Sequence, residues 1–195
     1  IEHELDRGRE SIGDWLFGNF NLENAAAANA FVRSQGIGWP LIRKTFRAFK
    51  GVPGRMEYIQ KEPFSVVIDY AHTPDSLAKI YQAVMEVKRQ GRNKKLICVL
   101  GAAGGGRDKW KRPVMGRIAS EFCREIMLTN EDPFVEDPEA IIAQVRSGIS
   151  NAKFPSANLH QIMNRREAIK KAISLAKNGD VVMITGKGSE DWIRM

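Results

Sequence analysis

The spacing of apolar residues changes character near residue 60. Upstream, an alanine-rich run over 21–35 carries Leu22, Phe31 and Val32 and predicts a helix, with Gly36 placed to stop it. A second helix is expected after Pro40, running through Leu41 and Ile42 to Phe49. The stretch Lys50-Gly51-Val52-Pro53-Gly54 then combines two glycines with a proline and reads as a connector. Downstream, short β-branched runs at 66–69, 96–100, 126–129, 159–162 and 181–185 predict strands. Helical periods fall between them, over 74–89, 113–123, 138–147 and 165–177. Several helix starts carry capping chemistry: Thr73 before Pro74, Asp137 before Pro138, and Asn164 three residues ahead of Glu167.

Strands that alternate with helices need right-handed crossovers in a mostly parallel sheet, so 60–195 is expected to form a doubly wound, Rossmann-like α/β domain. The helical stretch 1–59 precedes it as a separate unit, with the boundary near 59–63. Doubly wound sheets bind ligands at the carboxyl ends of their strands. That rule selects the segments 69–74, 101–109, 130–134 and 186–190.

Composition narrows the classes. No apolar run approaches the roughly 18 to 20 residues needed to cross a bilayer, and no secretory leader opens the chain, so a cytoplasmic protein without membrane insertion is expected. The formal charge of +7 comes from 30 basic and 23 acidic residues that are dispersed along the chain. Dispersed charge suits nucleotide phosphates and carboxylates better than nucleic acid. Cys98 and Cys123 lack the paired spacing of a zinc site or a disulfide framework and are expected to be buried, reduced thiols. The start at Ile1, followed by a polar lead-in, suggests a piece of a longer polypeptide.

Three segments at strand ends carry chemistry. Gly101-Ala-Ala-Gly-Gly-Gly106-Arg107-Asp108-Lys109 can bring backbone close to an anion, but Arg107 and Asp108 stand where a P-loop needs Lys and Ser/Thr. Arg107 is either a fork for a carboxylate or phosphate or a surface arginine on a tight turn. In Asp69-Tyr70-Ala71-His72-Thr73-Pro74, an acid and a histidine precede a helix, which suits ribose and phosphate contacts or simply a cap. Gly186-Lys187-Gly188-Ser189-Glu190 leaves backbone N–H groups, a cation and an acid after the last strand, and also fits a plain surface turn.

Taken in order, these segments resemble the Mur ligase family, and within it the tripeptide synthetases. The resemblance rests on Asn21-Leu-Glu-Asn24-Ala-Ala-Ala, Gly51-Val-Pro-Gly-Arg55-Met-Glu57, Asp69-Tyr-Ala-His-Thr-Pro74, Gly106-Arg107-Asp-Lys109 with Lys111-Arg112-Pro113, and Gly186-Lys-Gly-Ser-Glu190. It implies an ATP-dependent amide ligase in which 1–59 is the end of a central ATPase domain and 60–195 the carboxy-terminal domain. Family enzymes activate a substrate carboxylate as an acyl phosphate, which an amino acid's amine then attacks. The resemblance implies UDP-N-acetylmuramoyl-dipeptide, ATP with Mg2+ and a diamino acid as partners, with the enzyme a monomer. By position, Asn24, Arg55, Asp69 and His72 would contact ATP. Arg107, Glu131, Asp132, Pro133, Phe134, Gly186 and Glu190 would meet the amino acid. No catalytic residue or metal ligand is assigned within the chain.

Two departures qualify the resemblance. Where diaminopimelate-adding members typically read Asp-Asn-Pro-Arg, this chain reads Glu131-Asp132-Pro133-Phe134, which makes lysine a candidate alongside diaminopimelate, with Asp132 and Glu190 to meet an ammonium. Ser189 stands where histidine is common. The family's P-loop, magnesium ligands and carbamylated lysine have no counterpart in these residues, so the piece alone is expected not to ligate. Rival readings are another ligase of this architecture, such as a folylpolyglutamate or cyanophycin synthetase, and a non-catalytic nucleotide or amino-acid binding module. A P-loop upstream in the parent gene separates the enzymes from the module.

Overall fold

The computed structural model describes residues 18–88, 94–150, 154–190 and 192–194. The polar lead-in at the start of the chain, the expected helix end at Arg89 and the final Met195 lie outside them. Two helices come first, α1 (Asn19–Ser34) and α2 (Trp39–Ala48). There follow β1 (Glu57–Gln60), β2 (Ser65–Asp69), α3 (Pro74–Lys88), β3 (Leu96–Leu100), α4 (Lys111–Phe122) and β4 (Glu125–Leu128). The chain closes with α5 (Pro138–Arg146), a short 3-10 turn at Ser156–Asn158, β5 (Leu159–Gln161), α6 (Arg165–Leu175) and β6 (Val181–Thr185). Gly36 adopts φ 81°, as a helix-stopping glycine should.

The six strands form one sheet in the order β1-β2-β6-β3-β4-β5. All neighbours run parallel except β1, which pairs antiparallel with β2. The five expected strands are all present. β1 was not anticipated, and it spans the expected boundary at residues 59 and 60. Its sequence, Glu-Tyr-Ile-Gln, lacks a β-branched run, and as an edge strand only one side of its backbone is paired.

Side-chain alternation along the strands divides the core between the two faces. Val67, Cys98, Leu100, Ile126, Leu128 and Met183 pack against α3, α4 and α5 through Leu77, Tyr81, Met115, Ile118, Ile141 and Val145. Val66, Ile97, Val99, Met127, Val182 and Ile184 pack on the opposite face against Ala168 and Ala172 of α6. Small residues on α6 let that helix lie close to the sheet. No helix among the described residues is long and apolar enough to cross a membrane.

The caps form largely as the sequence dictates. Asp137 accepts from the Glu139 N–H at 3.0 Å, and Asn164 accepts from Arg166 and Glu167 N–H at 3.0 and 3.2 Å. Glu167 does not complete a reciprocal box with Asn164; its carboxylate instead meets Lys170 at 2.8 Å. Thr73 and Ser76 exchange hydroxyl and backbone contacts at the start of α3.

Cys98 and Cys123 are not separate thiols but a disulfide. Cys98 faces the α4 side of the sheet, and Cys123 caps α4 where the chain turns toward β4, which brings the two Cα atoms to 6.1 Å. Their local spacing carried no such signal, because the pairing follows from how α4 docks on β3.

The α4–α5 contact is made at Gly116. A Cβ there would collide with the Val145 carbonyl oxygen, so the two helices could not keep their present approach. Gly116→Ala is therefore expected to lower unfolding stability by about 1–3 kcal/mol, measured by urea denaturation. An unchanged midpoint would show that the helices separate without cost.

Candidate functional site

The carboxyl ends of β2, β3, β4 and β6 lie at one edge of the sheet, and the described loops there build two adjoining sites. The first is a cleft of about 790 Å³ between α1, α2 and the start of α3. Phe20, Ala25, Phe46, Phe49 and Ile80 give it an apolar wall, while Asn24, Arg55, Asp69 and His72 bring polar groups to the same space. All four residues expected to share a nucleotide site are thus together.

Asp69 fixes the cleft's floor. Its Oδ2 accepts from the Met56 N–H at 2.8 Å and its Oδ1 from the Ala71 N–H at 2.7 Å. Burial raises the Asp69 pKa above the usual carboxylate value, opposed by those two backbone donors and by Arg55. Each oxygen keeps a lone pair for a further donor. Met56, held by this contact, is almost fully buried and sits at φ 46°, a left-handed conformation rare outside glycine.

The Arg55 guanidinium lies 4.4 Å from the Tyr70 ring centre, and that ring meets His72 edge-on at 4.9 Å. His72 Nδ1 is 3.0 Å from the Tyr70 carbonyl oxygen, which can only accept, so Nδ1 is the nitrogen that donates there and, in the neutral ring, Nε2 is the acceptor. A cation, a ring and an acceptor therefore follow one another along an apolar wall. That arrangement suits a flat heterocycle bearing hydroxyls and negative charge.

The second site lies where the loops after β3, β4 and β6 meet. The Gly104 N–H donates to the Asp132 carbonyl at 2.7 Å, and the Asp132 carboxylate receives Lys187 Nζ at 2.9 and 3.1 Å. Asp132, expected to meet a ligand ammonium, already holds one from this chain. Glu190 Oε2 accepts from the Gly188 N–H at 2.8 Å, which folds the last loop back on itself. Pro133 is buried, Phe134 is half-buried at φ 52°, and Arg107 is exposed on the glycine-rich loop.

Glu131 differs from its neighbours. It is only 3% exposed, and its Oε2 has no hydrogen-bond partner. Burial pushes its pKa up to about 7, with Arg165, Lys111 and Lys187 pulling down and Asp132 adding to the rise. Gly186 is required here, since a Cβ at that position would collide with Glu131 Oε2.

Behind both sites stands a residue whose role the sequence did not disclose. Arg112 is fully buried and donates to Glu136 at 3.0 and 3.2 Å, to Gln144 at 2.7 Å and to the Ala103 carbonyl at 2.9 Å. Arg112, with Lys109 also in reach, holds Glu136 down at about 2. Lys111 donates to the His72 carbonyl at 3.1 Å and so links the second site to the first; burial lowers its pKa. A signal for both existed, because two cations in the first turn of a helix oppose its dipole and need another reason to be there.

The family model for the Mur ligase, glutamate ligase domain matches residues 54–188. The chain belongs to this family. A UDP-N-acetylmuramoyl-L-alanyl-D-glutamate–2,6-diaminopimelate ligase of Syntrophomonas wolfei is 43% identical over 178 residues, covering 91% of the chain and 35% of that protein. Its counterpart in Aquifex aeolicus is 42% identical over 177 residues, with the same coverage. The chain thus spans about a third of the length of these curated relatives. A solved structure of a ligase of the same name superposes with a TM-score of 0.65 at 36% identity, covering 92% of the chain and 35% of its own. A Mycobacterium tuberculosis folylpolyglutamate synthase complexed with ADP and AMPPCP superposes with a TM-score of 0.68 at 22% identity, covering 88% and 38%, and shares the fold.

In this Mur ligase domain the pH dependence of stability isolates Glu131. Below about pH 4.5 its carboxyl is protonated in both folded and unfolded chains. As pH rises toward about 7 the unfolded chain ionises first, so the contribution to stability falls and is lost above the folded value. Glu136, shifted downward, acts only below that window. Thermal melts at pH 5 and pH 8 are expected to show a smaller loss of midpoint for Glu131→Gln than for the parent chain. Equal losses would mean that Glu131 is ionised throughout.

Proposed function

We propose that the polypeptide carrying this sequence is an ATP-dependent ligase that joins a diamino acid to UDP-N-acetylmuramoyl-L-Ala-D-Glu in peptidoglycan synthesis. The observation that carries this reading is the convergence of Asn24, Arg55, Asp69 and His72 on one largely apolar cleft at the sheet's carboxyl edge. The names of the relatives support the reaction class, and the folylpolyglutamate synthase complex supports use of an adenine nucleotide by this fold. The proposed division of the chain falls near β1: α1 and α2 close a central ATPase domain, and the sheet forms the domain that receives the amino acid.

In this reading Asp69 accepts from ribose hydroxyls, and Arg55, stacked on Tyr70, offsets phosphate charge. The half-buried His72 offers Nε2 as an acceptor, and the apolar wall takes the base. Arg107 holds the incoming amino acid's carboxylate beside the 131–134 loop, with Gly186 and Glu190 toward its side chain. These groups orient an amine against an acyl phosphate made on the other substrate. Orientation and charge placement are the main contributions a protein makes to such a step. Mg2+ would be held by residues of the ATPase domain, and the enzyme would act in the cytoplasm as a monomer.

The test is phosphate release by the full-length polypeptide with ATP and UDP-N-acetylmuramoyl-dipeptide, with and without an added diamino acid. Release that requires both the dipeptide and the amino acid is expected. Arg55→Ala should raise the KM for ATP about tenfold or more, the loss expected for one charge-assisted contact. Absence of release from a folded protein with any diamino acid overturns the proposal.

A further inference from the structure

The loop after β6 returns across the carboxyl edge and docks on the loop after β4. Arg194 donates its backbone N–H to Asp132 Oδ1 at 2.8 Å, and its carbonyl accepts from the Phe134 N–H at 3.4 Å. Its main chain is therefore pinned on both sides to the 132–134 segment. The guanidinium lies 5.7 Å from the Phe134 ring centre and 4.9 Å from that of Trp192. Lys187 Nζ also faces Trp192, at 5.0 Å.

These two cations differ in their partners. Lys187 is paired with Asp132, and the neighbouring Arg112 with Glu136. Among the described residues no carboxylate forms an ion pair with the Arg194 guanidinium, which is exposed and lies over the Phe134 and Trp192 rings. Stacking on a ring uses the face of a guanidinium and leaves its edge of N–H donors open to a planar anion. Phe134 supplies the platform: its left-handed backbone turns the ring toward Gly105, on the same glycine loop that carries Arg107.

We propose that Arg194 binds the carboxylate at the far end of the incoming amino acid's side chain and so selects a diamino dicarboxylic acid over a diamino monocarboxylic one. This rests on the function proposed above. The chain has Phe134 where an arginine was expected for such a substrate, yet the loop does not lack a cation. The guanidinium arrives from a different strand end and stacks on the residue that took the arginine's place. Arg107 on the β3 loop and Arg194 on the β6 loop then offer separate forks for the two carboxylates. Lys187 is not available for either, because Asp132 neutralises it.

The experiment compares diaminopimelate with lysine in the phosphate-release assay, using the full-length polypeptide. The parent enzyme is expected to prefer diaminopimelate. Arg194→Ala should raise the KM for diaminopimelate by about tenfold or more with a much smaller change in kcat, the loss expected for one bidentate charge-assisted pair. The preference for diaminopimelate over lysine should shrink accordingly. Adding Phe134→Arg to Arg194→Ala should restore it, which a merely structural role for Arg194 would not permit. Preference of the parent for lysine, or an equal loss with both amino acids in Arg194→Ala, overturns this inference and leaves the ligase reading standing. Failure of the parent to release phosphate with either amino acid overturns both.

Discussion

In a parallel sheet the strand-end loops crowd together at one edge, and their backbone groups must find partners there. Arg112 satisfies one such group, the Ala103 carbonyl, and ties side chains of two further segments to it. From the first turn of α4 its guanidinium reaches the glycine loop at Ala103, the β4 loop at Glu136 and α5 at Gln144, with no exposure to solvent. The fork geometry of arginine lets one side chain hold three segments at fixed separation, which a lysine could not do. The glycine loop with Arg107 and the 131–134 segment take their positions from this brace. Lys111, one residue earlier, extends the link to the His72 carbonyl and hence to the cleft.

The edge concentrates charge where water is scarce. Asp69 and Glu131 are both driven toward their neutral forms by burial, but they are treated differently. Asp69 is given two backbone donors and acts as a structural staple between the connector before β1 and the end of β2. Glu131 has one oxygen with no partner and sits against Gly186 and Gly101, with Arg165, Lys111 and Lys187 near enough to oppose the rise in its pKa. Met56 and Phe134, the two non-glycine residues with positive φ among those described, lie one in each region: Met56 donates its N–H to Asp69, and Phe134 follows Glu131 in the loop after β4. Such conformations persist only where the surroundings over-determine them.

In the function proposed for the full-length polypeptide, the two regions divide the labour of a joining reaction. One is a largely apolar cleft with a few polar groups, suited to a nucleotide. The other is a shallow, highly charged meeting of three loops, suited to an amino acid. The Lys111 contact with His72 makes them neighbours through a single side chain. The same fold at about 20% identity serves folylpolyglutamate synthases, so the sheet itself does not choose the substrate. In the proposed reading that choice falls to loop residues, with Arg194 stacked on Phe134.

Much of this was legible without coordinates. Among the described residues, apolar periodicity and caps gave six helices and five of the strands to within a few residues, because both signals are local. β1 escaped, since a short edge strand without β-branched residues derives its order from pairing with β2. The strand-end rule located Asp69, Arg107, Glu131 and Gly186, because topology alone puts those positions at one edge. What the side chains do there could not be read. Asp132 turns to Lys187, 55 residues away, Cys98 joins Cys123, and Arg194 lies over Phe134. The sequence by itself determined the helices, the parallel strands and the sheet edge at which the candidate residues gather. Only the tertiary structure decided which charges neutralise one another and which side chains stack across the loops, because those pairings depend on distances between loops that no local pattern encodes.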